Sequence, residues 1–448
     1  NVISARENLK AARNRFRTNA ELSFQLPSFT EQVTEIPVAN QLPVFNTTGI
    51  LRFQGTLDIN QPLPTGGLFT LRSFIYRRNI STLLAEEDER IGRNDFYISF
   101  GLRFQQPLFT LNRLKLDLKK AELNFEKARR EIDRSKMDLI YNVTKGFYDL
   151  YKATREVEIV SEEVRQRQES YEIALSKYKA GLIAEVEALQ LEVDLAESKN
   201  KLTVAEGNLE RQKDAFKQLI GLSLDEDIAV STAIEYKPVK VDLDKAIAQA
   251  LKNRPEIRER ELERQLAEID VKEVDSRSEI RGDLYAFYDL TGVSDPTLPT
   301  DATTQDLFRS SWEDIKRRPR NRGASFVLTV PLWDNGVNRA EVAAAEANLR
   351  RAELYLEEIE KTIKREIRAL VGIIHEAQER MQILEKRREV ARKSYQISLA
   401  RFDNGEITSQ ELALMQQRLT SAEMSYLDAF IAYKLALADL KRKTLWDF

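Results

Sequence analysis

Few residues of this sequence belong to the types that usually carry out enzyme chemistry. The 448 residues include one histidine and no cysteine, which excludes a disulfide scaffold, a thiolate zinc site and a cysteine nucleophile. His375 lies in a helical segment without a second histidine or a cysteine as partner, so we interpret it as structural or solvated. No Ser/His/Asp set, glycine-rich phosphate loop or paired-carboxylate site emerges. The sequence therefore predicts no enzyme activity, no cofactor and no metal.

The composition indicates long, uninterrupted elements. At roughly 150 residues per domain the length would give about three domains, but 16 glycines and 12 prolines are fewer than the usual shares of roughly 7% and 5%. A mean hydropathy of -0.45 with 31% charged residues and no apolar run near ~18 residues exclude a bundle of membrane helices. The net charge of -3 gives no general attraction to nucleic acid. Because the chain starts at Asn1 without a signal peptide, we expect a processed or trimmed chain.

The sequence repeats itself at an offset of half its length. Pro107, in Gln106-Pro107-Leu108-Phe109, falls on Pro331, in Val330-Pro331-Leu332-Trp333, a shift from position 107 to position 331. The same shift places Tyr178, Gly181, Ile183 and Glu187 on Phe402, Gly405, Ile407 and Glu411. Two unrelated coiled coils of similar composition would not align single glycines and prolines. The pattern therefore predicts an internal duplication.

Each copy contains a long helix, a glycine turn and a returning helix. Residues 111–180 contain no proline and one glycine, and their apolar positions follow a heptad pattern. At ~1.5 Å per residue such a segment makes a rod on the order of 100 Å long, which a single globule cannot bury. The second copy repeats the rod over 338–403. We expect the returning helices over 184–219 and 409–443.

Other segments alternate with the period of a β-strand. Apolar residues lie at alternate positions in 51–60, at Leu51, Phe53, Leu57 and Ile59, and again in 96–104 and in 326–330. Runs of about ten residues with this pattern fit membrane strands, which need ~9–11 residues and alternate lipid-facing with lumen-facing side chains. A water-soluble sandwich with one buried face would show the same period. The alternation by itself leaves both interpretations open.

In this order, the motifs resemble the TolC family of outer-membrane efflux proteins over nearly the whole chain. The resemblance rests on the two proline junctions, on the tips Tyr178-Lys179-Ala180-Gly181 and Phe402-Asp403-Asn404-Gly405, and on Asn253-Arg254-Pro255-Glu256-Ile257. It implies a mixed α and β fold in which a homotrimer forms one transmembrane antiparallel β-barrel in the outer membrane. The barrel would continue into a long α-helical coiled-coil tunnel through the periplasm.

The resemblance also implies a function. Such a chain would be a passive exit duct of a tripartite efflux or type I secretion system, contacted by outer-membrane lipid, by a periplasmic adaptor and, through the adaptor, by an inner-membrane transporter. The alternatives are a periplasmic adaptor protein, against which the duplication and the two tips argue, and a soluble coiled-coil scaffold, which would not need the alternating strands.

The expected boundaries follow the repeat. They are 1–108 for a short helix and the first strands, 109–221 for the first helical hairpin, 222–242 for an equatorial linker, 243–280 for an ascending helix, 281–333 for the second strands with a basic loop, and 334–448 for the second hairpin. The helix before the first strands is about 16 residues long, shorter than its counterpart over 243–279, so the first copy looks clipped at its amino end.

The first copy also has about 37 residues more than the second between its helix and Pro107. This excess fits one additional hairpin over 50–76, with Pro64-Thr65-Gly66-Gly67 as the turn. If the hairpin enters the barrel, the trimer has 18 strands in place of the family's usual 12. We favour the wider barrel because both strands alternate fully.

By the same resemblance the helical tips are the working parts. The residues expected to dock the adaptor are Tyr178, Ala180, Gly181, Leu182, Phe402, Asn404, Gly405 and Glu406. The candidates for a periplasmic gate are Glu185, Glu187, Ile407 and Glu411, whose acids would form rings that favour cations. Ile407 and Phe402 carry no polar group to hold a closed state, which favours apolar closure. The junctions are Pro107 and Pro331.

A basic run, Lys316-Arg317-Arg318-Pro319-Arg320-Asn321-Arg322, precedes the last strand. Arginine presents a planar fork of donors that matches phosphate oxygens, so this loop could meet lipopolysaccharide phosphates at the cell surface. A solvated loop is the equal alternative.

Overall fold

The computed structural model describes residues 2–37, 43–84, 89–231 and 234–447. These residues form two compact units, one from the described parts of Asn1–Ala128 and Leu262–Glu353, the other from those of Arg129–Glu261 and Leu354–Phe448. Within them the helices are α1 Val2–Asn14, α2 Arg113–Lys179, α3 Glu185–Ile220, α4 Leu243–Asn253, α5 Pro255–Asp275, α6 Thr304–Arg317, α7 Val337–Asp403 and α8 Ser409–Thr444. The strands are β1 Asn19–Ile36, β2 Val44–Pro62, β3 Leu68–Leu84, β4 Glu89–Leu108, β5 Arg281–Val293 and β6 Asn321–Thr329.

The six strands form one antiparallel sheet in the order of the chain. The hairpin expected over 50–76 consists of β2 and β3, and it lies inside this sheet between β1 and β4. Its strands are longer than the ten residues expected, at 19 and 17 residues. Alternation shows only the part of a strand that has one apolar face, and polar residues extend both strands beyond that part.

The sheet has one apolar and one polar face. On the polar face, Arg72 donates from Nε and Nη2 to the two carboxylate oxygens of Asp58, at 2.6 and 2.8 Å, and Arg78 and Arg93 both pair with the buried Asp95. The other face carries exposed apolar side chains from successive strands, Leu22, Phe24, Phe53, Leu57, Leu71, Leu102, Phe326 and Leu328. The residues that alternate in the sequence are thus separated onto opposite faces.

The long helices occur as two pairs of equal length. Helices α2 and α7 have 67 residues each, and α3 and α8 have 36 each. Both pairs differ by the same shift, from position 113 to 337 and from 185 to 409. Among the described residues, no helix combines enough length with enough apolar character to cross a membrane.

The ascending helix expected over 243–280 is two helices. The chain leaves the helical conformation at Arg254, which is extended with ψ 125°, and α5 begins at Pro255. Proline lacks an N–H and disfavours the helical conformation of the residue before it. The side chain of Arg254 forms two ion pairs, with Glu256 at 2.8 Å and with Glu366 of α7 at 3.0 Å.

The basic loop expected before the last strand is mostly not a loop. Lys316 and Arg317 form the last turn of α6, Arg318 caps it, and Arg322 lies in β6. Helix α6 begins with a capping box, in which Thr303 and Asp306 exchange side-chain to backbone hydrogen bonds. The capping box is a local signal in the sequence, although the segment is short and lies between two strands.

The core of the second unit is built by the four long helices and the linker. One cluster contains Ile363, Ile367 and Ile374 of α7 with Tyr433 and Leu440 of α8, and the linker residues Tyr236, Val239 and Val241 pack into it. Tyr433 fixes the linker further, because its hydroxyl donates to the carbonyl of Lys237 and accepts from the N–H of Val239, both at 3.0 Å. Within the linker 222–242, residues 232–233 lie outside the described residues.

Candidate functional site

The two helical tips have the same backbone geometry. Gly181 has φ 74° and Gly405 has φ 81°, the left-handed conformation that glycine adopts without steric cost. After each glycine, an N–H bonds back across the turn, from Leu182 to the carbonyl of Lys177 and from Glu406 to that of Arg401, both at 2.9 Å. This is the Schellman pattern that ends α-helices, and it reverses the chain at both tips.

The returning helices begin differently after the two tips. Helix α8 has a full capping box, in which Thr408 accepts from the N–H of Glu411 and Glu411 accepts from the N–H of Thr408. Helix α3 begins after Ala184, which offers no side-chain cap. Glu187, the counterpart of Glu411, instead accepts a long bond of 3.5 Å from the N–H of Ser409. Two of the predicted gate acids, Glu187 and Glu411, therefore accept hydrogen bonds from backbone N–H groups at the start of α8.

The described side chains beneath the tips form a shared core. Ala174 of α2, Ala188 and Leu191 of α3, Tyr395 and Phe402 of α7, and Leu412 and Leu419 of α8 pack together. Burial raises the pKa of Tyr395 to about 12, so its hydroxyl keeps its proton at any physiological pH. The four long helices thus meet in one cluster just above the turns.

Phe402, one of the residues predicted to dock an adaptor, belongs to this core. Its side chain is 1% exposed, because the apolar ring packs between the helices of the cluster. Ile407, predicted as a gate residue, is also half-buried against the same cluster. Phe402 and Tyr178 occupy equivalent positions in the repeat. Tyr178 is 38% exposed, so the two aromatic residues differ in environment.

The remaining predicted tip residues are on the surface. Ala180, Gly181, Asn404, Gly405 and Glu406 are exposed, and Leu182 is 73% exposed. Glu185 and Glu411 are exposed as well, whereas Glu187 is half-buried. The two turns therefore present backbone and small side chains, with one prominent apolar side chain at Leu182.

A lysine that the sequence reasoning overlooked joins the two tips. Lys177 donates from Nζ to the carbonyl oxygen of Phe402, and its ammonium lies 4.8 Å from the centre of the Phe402 ring, a cation–π distance. The carbonyl belongs to the last turn of α7, where a cation is favoured by the helix dipole. Its counterpart Arg401 forms a pair with Glu406 at 3.1 Å. The sequence does contain a signal for these two cations, because a lysine or an arginine occurs four residues before each tip glycine.

A second overlooked group is a buried charge network between α2 and α3. Arg167 donates from Nε to Glu163 at 3.0 Å and pairs from Nη1 with Asp194 of α3 at 3.4 Å. The side chains of Glu163 and Arg167 are only 3% and 9% exposed. Gln416 of α8 donates to the carbonyl of Glu163, so the network is held by three helices.

The predicted strand-to-helix junctions lie near the ends of their strands. Pro107 is the second-last residue of β4 and opposes Asp283 of β5, while Pro331 follows β6 by two residues. Before α7, the Asp334 carboxylate accepts from the N–H groups of Gly336 and Asn338, at 2.9 and 2.8 Å. Phe109 and Trp333, next to the two prolines, are strongly exposed aromatic residues.

The fold combines an antiparallel sheet that has one apolar and one polar face with two helical hairpins of matched lengths. The family model described as outer membrane efflux protein matches residues 78–222 and 246–444. The chain belongs to this family, which confirms the resemblance that the motifs carry. The proteins of this family are described as outer membrane efflux proteins.

Individual relatives are distant in sequence. Nodulation protein T of Rhizobium leguminosarum bv. trifolii is 22% identical over 318 residues, which are 69% of this chain and 64% of that relative's length. The fold is similar to the Campylobacter jejuni CmeC outer membrane channel, with a TM-score of 0.66, 15% identity, and coverage of 99% of this chain and 80% of that one. VceC of Vibrio cholerae gives a TM-score of 0.67 at 15% identity, covering 99% and 90%. The open state of Neisseria gonorrhoeae MtrE gives 0.65 at 14%, covering 99% and 84%.

Proposed function

We propose that three copies of this chain form one continuous duct, with the sheets closed into a barrel in the outer membrane and the helices into a tunnel through the periplasm. The observation that carries this proposal is the open sheet with one apolar and one polar face. Lipid offers no hydrogen-bond partners, so the edge strands β1 and β6 must be paired. Pairing β6 of one copy with β1 of the next satisfies both edges.

Three copies of six strands give a barrel of 18 strands. Barrels of ~16–18 strands leave an aqueous channel. The polar face, with its Arg72–Asp58 and Arg78–Asp95 pairs, then lines the water-filled lumen, and the apolar face meets lipid. Both strands of the additional hairpin lie in the middle of the sheet, which supports the wider barrel over one of 12 strands.

Exposed apolar stripes on the helices support the assembly independently. The first stripe starts at Leu182 in the tip and continues on α3 with Val186, Leu189 and Val193, and on α7 the stripe is Ile383, Val390 and Ile397. Spacings of three, four and seven residues keep each stripe on one side of its helix. We propose that α3 of one copy packs against α7 of the next along these stripes. The paired lengths of α2 with α7 and of α3 with α8 support an origin by internal duplication.

The variant Leu189→Cys/Ile397→Cys tests this assembly in a chain that has no natural cysteine. Both residues are exposed and lie eight positions from their tip glycines, so they are at equal height in the proposed tunnel. Oxidation of detergent-purified protein is expected to give covalent trimers on a denaturing gel. The cross-linked trimer is expected to conduct ions in planar bilayers.

The control pair, Val193→Cys/Ile383→Cys, uses the same stripes at different heights. These residues lie 12 and 22 positions from their glycines, an offset of about 15 Å, whereas a disulfide needs Cα atoms within ~7 Å. It should not cross-link. Absence of intermolecular bonds in the first pair, or a monodisperse chain without detergent, would contradict the duct.

The tips are the proposed docking surface for a periplasmic adaptor, through which the duct would reach an inner-membrane transporter. Exposed Leu182 and Tyr178, with the exposed turn residues Ala180, Asn404 and Glu406, offer a small apolar and polar surface. Phe402 contributes to this surface only by packing beneath it. The adaptor would supply the coupling to an energy source.

The aperture is proposed to be ringed by the acids that begin α3 and α8. Glu187→Gln combined with Glu411→Gln is expected to weaken the block of bilayer currents by divalent cations several-fold, because three copies of each carboxylate attract cations into a narrow opening. Glutamine preserves the capping box at Thr408. Single-channel recording with millimolar Mg²⁺ measures the effect.

A matched control removes two exposed acids from α2 and α7, Glu162→Gln with Glu389→Gln. It changes the net charge equally but leaves the start of both returning helices unchanged. Block should remain as in the natural chain. Equal block in all three proteins would remove the acidic ring from the proposal.

A further inference from the structure

Helix α6 lies across the strands on the apolar face of the sheet. Along its length it contacts three successive strands, where Thr304 accepts from Arg77 of β3, Ser311 donates to the carbonyl of Phe96 of β4 at 2.8 Å, and Asp314 accepts from the N–H of Val293 of β5 at 2.9 Å. Strands in a sheet are ~4.8 Å apart, so the helix crosses them. In a barrel wall with strands tilted ~40° from the membrane normal, a helix that crosses them at a right angle is inclined by the same ~40° to the membrane plane.

The helix divides its side chains between sheet and surroundings. Leu307 and Ser311 are buried against Phe96 and Ile98 of β4. Phe308 and Trp312 remain 43% and 45% exposed, stack on each other with ring centres 6.3 Å apart, and contact Phe96 and Phe100 by their edges. Half-exposed aromatic rings beside an apolar surface are typical of the boundary between hydrocarbon and headgroups.

The height of α6 fits that boundary, if the sheet spans the outer membrane as proposed above. Phe96 lies eleven residues before Pro107 on β4. At ~3.3 Å per residue and a tilt of ~40°, this is roughly 28 Å along the membrane normal, close to the ~25 Å apolar band of outer-membrane barrels. Exposed Phe109 and Trp333 mark the lower boundary, so α6 lies at the upper one, in the outer leaflet.

The last turn of α6 and the chain after it are strongly cationic. Lys316, Arg317, Arg318, Arg320 and Arg322 lie within seven residues, and no acidic residue occurs from position 315 to 333. Arg318 is engaged by Asp314 at 2.6 Å, while Lys316, Arg317 and Arg320 are exposed. Such a cluster at headgroup height suits a lipid with more than one phosphate.

The same face of the sheet holds an apolar groove. It has a volume of about 590 Å³, extends over β1, β2 and β3, and is lined by apolar side chains that include Leu22, Phe24, Phe53, Leu57, Ile75 and Phe96. In the proposed ring β6 of one copy adjoins β1 of the next, so the cationic segment of one copy borders the groove of its neighbour. The stretch of barrel surface from the cationic segment of one copy to the groove of the next, which we call the arc, covers about four strands, or roughly 15–20 Å.

We propose that this arc is a binding site for lipid A, the acylated and doubly phosphorylated lipid of the outer leaflet, at each of the three contacts between copies. Acyl chains occupy the groove, phosphates bind Lys316, Arg317 and Arg320, and Phe308 and Trp312 pack beside the sugar headgroup. The inference rests on the proposed orientation of the sheet. A glycerophospholipid with one phosphate would engage fewer of these cations.

The test uses detergent-purified trimers and native mass spectrometry with three probes, bisphosphorylated lipid A, dephosphorylated lipid A and phosphatidylglycerol. We expect up to three bisphosphorylated lipid A molecules per trimer. The variant Lys316→Gln/Arg317→Gln/Arg320→Gln should weaken their binding at least tenfold. The control Lys361→Gln/Lys364→Gln/Arg365→Gln, which removes three exposed charges from α7 in the other unit, should bind as the natural chain does.

Equal binding by the two variants, or equal binding of phosphatidylglycerol and lipid A to the natural chain, would overturn the lipid site. Conductance in planar bilayers separates this outcome from failure of the duct itself. A conducting trimer without lipid A preference contradicts only the site, whereas a natural chain that neither trimerises nor conducts contradicts the proposed function on which the site rests.

Discussion

Replacement of Arg167 by methionine is expected to lower the free energy of unfolding of the helical unit by about 3–5 kcal/mol, the usual cost of removing one partner from a buried ion pair. Glu163, whose side chain is 3% exposed, would keep only a long 3.9 Å contact with Lys201, and Asp194 of α3 would lose its only contact across to α2 among the ion pairs of the described residues. The apparent melting temperature of the helical circular dichroism signal, recorded on the detergent-solubilised trimer, measures this loss.

Two further variants separate burial from charge. Arg165→Met removes the same side chain two positions away, where Arg165 pairs with Glu162 at the surface, and should change the melting temperature far less. The triple variant Glu163→Gln/Arg167→Met/Asp194→Asn leaves no lone buried charge and should recover most of the lost stability. If Arg167→Met is as mild as Arg165→Met, the network does not hold α2 to α3.

Substitution of Gly292 by alanine is expected to displace α6 from the sheet. A Cβ at this position would lie 2.0 Å from the carbonyl oxygen of Ser311 and 2.6 Å from a side-chain carbon of Ile315. The first is a backbone atom of α6 and cannot move without the helix. Overpacking of this kind costs about 1–3 kcal/mol or more, so the contacts of Ser311 and Asp314 with the sheet should be weakened together.

Limited proteolysis measures this displacement directly. Trypsin should cut after Arg309 and Lys316 at least tenfold faster in Gly292→Ala than in the natural chain, because a detached helix frays. Gly92→Ala is the matched control, since it lies in β4 of the same sheet and a Cβ there has nothing within 4 Å. Equal cleavage in both variants would show that the close approach at Gly292 does not seat α6.

Much of the fold could be predicted because its signals are local. The heptad pattern over 111–180, free of proline, corresponds to α2, and the paired glycines at 181 and 405 correspond to turns with positive φ. The break at Arg254 also has a local signal, which is Pro255. The apolar residues on both sides follow a helical period, and this period predicts one continuous helix. The capping box of Thr303 and Asp306 is likewise a local signal for the start of α6, in a segment expected to contain only strands and a loop.

The candidate site was less predictable than the fold. Exposed tip residues such as Leu182 and Gly405 were identified from the turn and the resemblance, but Phe402 was assigned to the surface and is buried. Lys177 and Arg167 were not singled out at all. Their roles depend on partners 225 and 27 positions away, Phe402 and Asp194, and no periodicity within one helix records such a distance.

The sequence by itself determined the element types, the repeat of a strand region followed by a helical hairpin, and the family, since periodicity and glycine or proline signals act over a few residues and survive without knowledge of neighbours. The tertiary structure decided which face of the sheet α6 covers, which tip aromatic is buried and which charges are paired inside. These outcomes depend on side chains that meet only when distant segments pack. The free energy of each contact depends on its burial, which exists only in the packed structure.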